Sequence, residues 1–334
     1  MRRLTYSLAG VIAVFFLLSA PQSGQAQAEG KPNAKPSNTL SRVKPDEDWT
    51  TPFVSTTHLV PSPPIVAPQG DRATFTRELV SLQWRPFDAI YVYVIKPKGV
   101  TKPPPVLFLY GFPSGTKRFL DDSYCRRITE GGCAAIGFES ALTGERFRMR
   151  PMREWFVSEL PESLATSAHD VQYILNYLAT RGDLDMNRVG MFGQGSGGSI
   201  AILAAAADPR IKAVDLLTPW GDWPDWAEKT AVISKADRPL YQLPKFQNSV
   251  APLDPVAWLP NLADRQVRLQ FREDDPAVPD KSREAIEKAL PKSATLVTFK
   301  TNIAMYAGIS GGRLFQWMAD KLNAKSVGSA QSTP

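Results

Sequence analysis

Residues 188–198 read Arg188-Val189-Gly190-Met191-Phe192-Gly193-Gln194-Gly195-Ser196-Gly197-Gly198. A short apolar run, Val189 to Phe192, meets a cluster of glycines, and a helix-forming run, Ile200 to Ala207, follows it. This is the pattern of a strand, a sharp turn and a helix. Two sites of different chemistry are built that way. In G-x-S-x-G, a strained turn lifts a nucleophile above the sheet. In G-x-G-x-x-G, glycines let a pyrophosphate approach the N-terminus of a helix. Gly193, Gly195 and Gly198 satisfy the second pattern, and Asp215 follows about 20 residues on, where a ribose-binding acid belongs. Two things count against it. Several strands precede this turn, whereas a dinucleotide loop opens its sheet. Asp215 also falls inside its expected strand rather than at the strand's end.

Outward from the turn, the chain alternates strands and helices. Thr74 to Trp84 and Asp88 to Ile95 are expected strands. In the second, Ile90, Val92 and Val94 alternate with Tyr91, Tyr93 and Ile95, so both faces suit a covered sheet. Val106 to Tyr110 is a buried-type strand stopped by Gly111-Phe112-Pro113-Ser114-Gly115. A polar helix over 117–130, a strand from Cys133 to Phe138 ending at Glu139, and an amphipathic helix over 161–180 follow. Residues 140–160, rich in Arg and Met, resolve to no element. Beyond a strand at Ile211 to Leu217, the stretch Pro219 to Leu262 is too long for a connection. It carries Trp220, Trp223, Trp226 and Trp258 and reads as a lid or excursion over 219–262. A strand at Val267 to Phe271, a helix over 280–290, a strand over 294–300 and a closing helix over 312–324 complete the pattern. The expectation is an α/β fold: a mostly parallel, doubly wound sheet with helices on both faces.

The two ends read differently. Arg2 and Arg3 precede an apolar stretch from Leu8 to Ala20, and Ala26-Gln27-Ala28 is a small-x-small cleavage site. Residues 1–28 are therefore expected to be a signal peptide. Cleavage near Ala28 would export the chain to the periplasm or beyond, with no stable membrane span left. Residues 29–70 read as a flexible, Pro-rich leader, with four prolines holding 57–70 extended along the surface. The folded domain is expected over 71–324, with a frayed tail over 325–334. A net charge of +6 on 334 residues, with no dense Lys/Arg cluster, argues against a nucleic-acid partner. The two cysteines, Cys125 and Cys133, are open to a disulfide or to two separate buried thiols. Eight residues apart with no nearby His, they make a poor metal site. No metal and no cofactor are expected.

Four local matches then carry a resemblance. Val106 to Gly111 with Phe112 is similar to a strand and turn that usually read H-G. Asp170 with Tyr173 to Leu178, then Asp185 to Gly193, match the approach to a nucleophile turn. Gly193 to Gly198 is similar to G-x-S-x-G-G. Phe271 to Pro279, with Asp274-Asp275-Pro276-Ala277-Val278-Pro279, is similar to the strand end that bears a catalytic acid. From about residue 75 to 323, the chain resembles the α/β-hydrolase superfamily, its dienelactone-hydrolase and prolyl-oligopeptidase-like branches in particular.

That resemblance implies a Ser–Asp–His mechanism, with the three arriving in that order along the chain. In register, the nucleophile position is Gly195, and Ser196 stands one residue late. Asp275 holds the acid position, as a vestige or as a cap for the following helix. The base belongs within 301–311, which contains no His. Only His58, in the leader, and His169, expected on a helix surface, exist elsewhere. The backbone N–H groups of Phe112 and Ser196 are expected to form an anion-binding notch. Glu139 is the best-placed substitute base for Ser196, or else an ordinary loop carboxylate. Ser199 is expected to pack. Trp220, Trp223 and Trp226, with Asp222 and Asp225 between them, suit either a sugar or cation pocket or the core of the lid. The leading expectation is a degenerate hydrolase-fold protein that binds a small ligand or a partner. The alternatives are an active ester or peptide hydrolase using Ser196, and a nucleotide-binding oxidoreductase.

Overall fold

The computed structural model describes residues 46–149, 159–310 and 313–324. The expected signal peptide over 1–28, the first part of the leader and the tail over 325–334 lie outside the described residues.

Nine strands are formed by the described residues: β1 (Ile65–Asp71), β2 (Phe75–Arg85), β3 (Asp88–Pro97), β4 (Pro105–Leu109), β5 (Ala134–Gly137), β6 (Val189–Gln194), β7 (Ile211–Leu217), β8 (Gln266–Arg272) and β9 (Thr295–Phe299). They make one sheet in the order β1-β2-β3-β5-β4-β6-β7-β8-β9. β1, β2 and β3 pair antiparallel, as do β3 and β5. From β5 across to β9 every pairing is parallel. β6 therefore sits inside the parallel part, flanked by β4 and β7. β4 shows why: all five of its side chains are buried. Leu107 and Leu109 face one core, and Val106 and Phe108 the other.

Helices α1 (Asp122–Thr129), α2 (Gly144–Met149), α3 (Leu160–Arg181) and α4 (Ser196–Ala207) lie between these strands. α3 and α4 cover one face, giving Leu164, Val171 and Ile174, with Ile200 and Leu203, to the larger core. α1 and the C-terminal helix over Arg313–Lys321 cover the other face through Cys125, Ile128 and Met318, with Leu322 just beyond that helix. α3 ends at Gly182, whose φ of 71° supplies the left-handed residue that closes a helix.

The 219–262 stretch carries α5 (Trp223–Lys229), α6 (Arg238–Tyr241), α7 (Pro244–Val250) and α8 (Pro255–Trp258). α5 and α8 pack on α9 (Asp280–Ala289), and α8 also packs on α4. Trp223 and Trp226 are fully buried in the larger core. Two last helices follow β9: α10 (Asn302–Ser310) and α11 (Arg313–Lys321). α2 falls within 140–160, where the sequence indicates no element, and α10 within 301–311, where the base is expected. Among the described residues, no helix is long and apolar enough to cross a membrane.

The described part of the leader is built into the fold. β1 pairs with β2 from Ile65 opposite Ser81 to Asp71 opposite Thr76, with an irregularity between Pro68 and Gly70. An edge strand tolerates proline because one row of its N–H groups needs no partner. Upstream, residues 46–60 are strapped to α3. Gln172 Nε2 donates to Pro52 O (2.7 Å), and Val54 N donates to Gln172 Oε1 (3.2 Å). Tyr173 Oη donates to Leu59 O (2.9 Å). This strap is why His169, expected on a helix surface, is buried. Its Nδ1 lies 2.6 Å from Glu47 Oε1 and its Nε2 2.9 Å from Thr51 O.

Beneath the strap, Asp170 is fully buried and collects three donors. Trp84 Nε1 donates at 3.0 Å, and Arg85 and Arg146 each donate at 2.5 Å. Arg146 also takes both oxygens of Asp88, and Arg85 both of Glu47. A buried charge is tolerable only when so compensated.

Candidate functional site

The turn between β6 and α4 is the sharp one the sequence pattern requires. Gly195 adopts φ 54° and ψ −124°, and its N–H donates to Leu217 O at 2.9 Å. The neighbouring glycines are demanded by packing. A Cβ on Gly193 would stand 2.4 Å from Gly197 O, and one on Gly197 would stand 2.4 Å from Leu109 O. They let α4 close onto β4 and β6, and they face protein atoms rather than an open cradle. Two of the three glycines of the G-x-G-x-x-G match are thus accounted for by packing, Gly193 as above and Gly198 with Pro219 Cβ 2.9 Å from where its own Cβ would stand. Asp215, the candidate ribose acid, is buried within β7, where Arg268 binds both of its oxygens (2.8 and 2.7 Å).

The apex itself has room. A Cβ on Gly195 would meet Gly111 Cα and Trp220 Nε1 at 3.6 Å, ordinary contact distances. The Trp220 indole lies across this position. It stacks on Trp226 with centroids 4.8 Å apart. Ser199 pins its backbone, donating from Oγ to Trp220 O (2.7 Å) and accepting from Trp220 N (3.1 Å).

Ser196 is fully buried, and its Oγ accepts the Phe112 N–H at 3.0 Å. The two members of the expected anion notch do meet, but a side chain of the same chain occupies one of its donors. The part-buried Phe112 N–H is thereby satisfied within the chain.

The other expected residues are dispersed. Asp275 accepts the Ala277 N–H (3.0 Å) and pairs with Arg272 (3.2 Å). α9 starts later, with Pro279 at its cap position, so Asp275 does not cap it. The loop after Asp275 is bound by the insertion: Trp226 Nε1 and Thr230 Oγ1 both donate to Ala277 O (2.9 and 3.0 Å). Glu139 accepts from Thr116 N and Oγ1 (3.1 and 3.2 Å) and from Arg146 N (3.1 Å), clamping two loops together. His58 is exposed in the strap, and His169 is held by Glu47. Cys125 and Cys133 are buried free thiols, and burial pushes the Cys133 thiol up to about 12. Among the described residues, no group of three or more His, Cys, Asp or Glu is placed to hold a metal ion.

In the tryptophan-rich run, Trp220 and Trp223 are buried, and Asp254 organises the backbone. Its carboxylate accepts from Asp222 N (3.0 Å), Val256 N (3.0 Å) and Trp223 N (3.1 Å). Burial raises the carboxyl groups of both Asp254 and Asp222, and the nearby acids add to the rise at Asp222. Asp254 was not singled out from the sequence, and its only signal is its place before Pro255 at the start of α8.

One feature escaped sequence reading. A cavity of about 570 Å³ opens beside the turn, between the ends of β4, β6 and β7 and the helices α1, α10 and α11. Tyr110, Arg118, Tyr124, Gln194, Tyr306 and Phe315 are among its walls. The Tyr110 and Tyr124 hydroxyls are hydrogen-bonded to each other, and the Arg118 guanidinium carbon lies 3.4 Å from the Tyr110 ring centroid. Burial raises both phenols, so both stay protonated. These groups come from separate elements, so no local motif joins them.

No protein-family model matches the chain. Two Escherichia coli relatives, each described as an uncharacterized 31.7 kDa protein in the traX-finO intergenic region, align over 122 residues at 28% and 27% identity. Each alignment takes 35% of this chain and 38% of the relative, so the chain matches well under half the length of these curated relatives. Among solved structures, acetyl xylan esterase 1 from a Thermoanaerobacterium species superposes with a TM-score of 0.59 at 13% identity, over 77% of this chain and 89% of that one. An S-formylglutathione hydrolase from Agrobacterium tumefaciens gives 0.57 at 15%, over 77% and 99%. The 2,6-dihydroxy-pseudo-oxynicotine hydrolase gives 0.55 at 20%, over 72% and 66%. At these identities the likeness concerns the backbone, and it agrees with the strand order and the β6–α4 turn: the chain has the α/β-hydrolase fold.

Proposed function

We propose that this chain is an exported protein that uses the hydrolase fold to hold a small ligand or a partner without covalent turnover. The observation that carries the reading is the hydrogen bond from Phe112 N to Ser196 Oγ. Acyl transfer needs a nucleophile, a base within reach of it, and donors free to receive the developing oxyanion. Here residue 195 has no side chain, and one donor is already engaged. Among the described residues, neither histidine is bonded to Ser196. Removing one member of such a set alone costs several powers of ten in rate.

A fluorophosphonate probe tests this on the purified protein. The expected result is no labelling and no hydrolysis of short-chain aryl esters. Labelling that disappears in Ser196→Ala would overturn the reading in favour of a serine hydrolase. Retained NAD(H) in the purified protein would redirect it to the nucleotide-binding alternative. Export is checked by N-terminal sequencing of the processed protein, expected to start at Glu29.

A further inference from the structure

We propose that the cavity walled by α1, α10 and α11 binds a small organic carboxylate with an apolar body. This deepens the ligand-holding reading and rests on it. About 570 Å³ lies within the ~300–1,000 Å³ of typical small-molecule sites. Its lining combines charged, polar and apolar groups. Arg118 and Arg127 line it, and no acidic residue does. Among the described residues, no carboxylate pairs with Arg118; its partners are the Tyr110 and Tyr124 rings and hydroxyls. The Arg118 guanidinium is held over the Tyr110 ring, and its five N–H groups outnumber the two tyrosine hydroxyls it serves, which leaves donors for a carboxylate. The two tyrosine hydroxyls share one hydrogen bond, so one proton of the pair remains to donate. Gln194 adds an amide at the same end of β6. Phe192, Leu217, Met305 and Phe315 supply apolar wall beside Tyr306. A bare inorganic anion would leave that surface wet, and a neutral apolar molecule would leave Arg118 without a counter-ion. Neither Gly195 nor Ser196 lines the cavity, so the site is separate from the empty nucleophile position.

Isothermal titration calorimetry on the full chain tests this with decanoate, decanol and inorganic phosphate. Decanoate should bind at least tenfold more tightly than either of the others. Arg118→Met should weaken decanoate at least tenfold and leave decanol unchanged, with circular dichroism to confirm folding. Ile303→Glu is a second variant that avoids the core, since Ile303 is 83% exposed at the rim. It should weaken decanoate severalfold by placing a like charge at the mouth. Equal binding of decanoate and decanol would overturn the proposal, as would no saturable decanoate binding or indifference to both variants. The outcome is separable from probe labelling. An unlabelled protein that ignores decanoate sinks this site alone, and a labelled one that binds it sinks the non-covalent reading alone.

Discussion

Gly195→Ser returns a hydroxyl to the apex of the turn, and the structure sets what that should cost. The new Cβ would have its nearest neighbours at 3.6 Å, so nothing needs to move. The penalty is backbone strain alone, because an L side chain at φ 54° is unfavourable whatever the space. Such strain costs about 1–3 kcal/mol. At roughly 2–4 °C per kcal/mol for a domain of this size, the melting temperature should fall by roughly 2–12 °C. Gly197→Ser is the control. Its Cβ would stand 2.4 Å from Leu109 O and 2.8 Å from Leu109 C, backbone atoms of a central strand. Relief requires parting α4 from β4, at ~3 kcal/mol or more. Scanning calorimetry of the two variants beside the parent reads the contrast. Gly195→Ser should also stay inert toward aryl esters, since it gains a nucleophile without a base. Adding Ser196→Ala to free Phe112 N, and a histidine scanned through 304–309, should produce weak esterase activity. Equal losses of stability at the two glycines would refute the reading of the apex as roomy. An inert full series would refute the register.

Two further outcomes follow from the buried charges. Asp170→Ala strips the shared acceptor from Trp84, Arg85 and Arg146 and should cost about 3–5 kcal/mol in urea unfolding; under ~1 kcal/mol would mean that Glu47 and Asp88 compensate alone. Burial raises the Glu47 carboxyl, but the hydrogen bonds and charges of Arg85 and His169 outweigh it and hold the group at about 2, against an ordinary 4.5. The folded state therefore binds that proton more weakly than the unfolded chain does. Its stabilisation should be complete above about pH 4.5 and fade as pH falls toward 2. Glu47→Gln should flatten that acid limb, and parallel acid-denaturation curves for parent and variant would count against the assignment.

What could be read from sequence was what is local. The β6–α4 turn, the strands of the parallel sheet and α3 each carry their own periodicity, and each formed within a few residues of expectation. β1 was invisible because Pro68, Gly70 and an exposed edge erase the alternation that marks a strand. α10 lies where the resemblance implies only the position of a base, and its mixed residues show no single apolar face. The site is less legible for a different reason. Ser196 meets Phe112 across 84 positions, and His169 meets Glu47 across 122. Such bonds depend on tertiary geometry, so the sequence could say which groups were missing from the apex but not what had replaced them.

The strap along α3 bears on how the protein can be shortened. A cut at residue 71, the boundary that composition alone recommends, would peel β1 from β2 and bare an eleven-residue edge on which Phe75, Val80, Leu82 and Trp84 are core residues. Long apolar edges invite pairing between molecules. The same cut would remove the carboxylate that faces Arg85 and His169. A truncated version for crystallisation or display should therefore begin ahead of Asp46, or it will trade a tidy boundary for clumping.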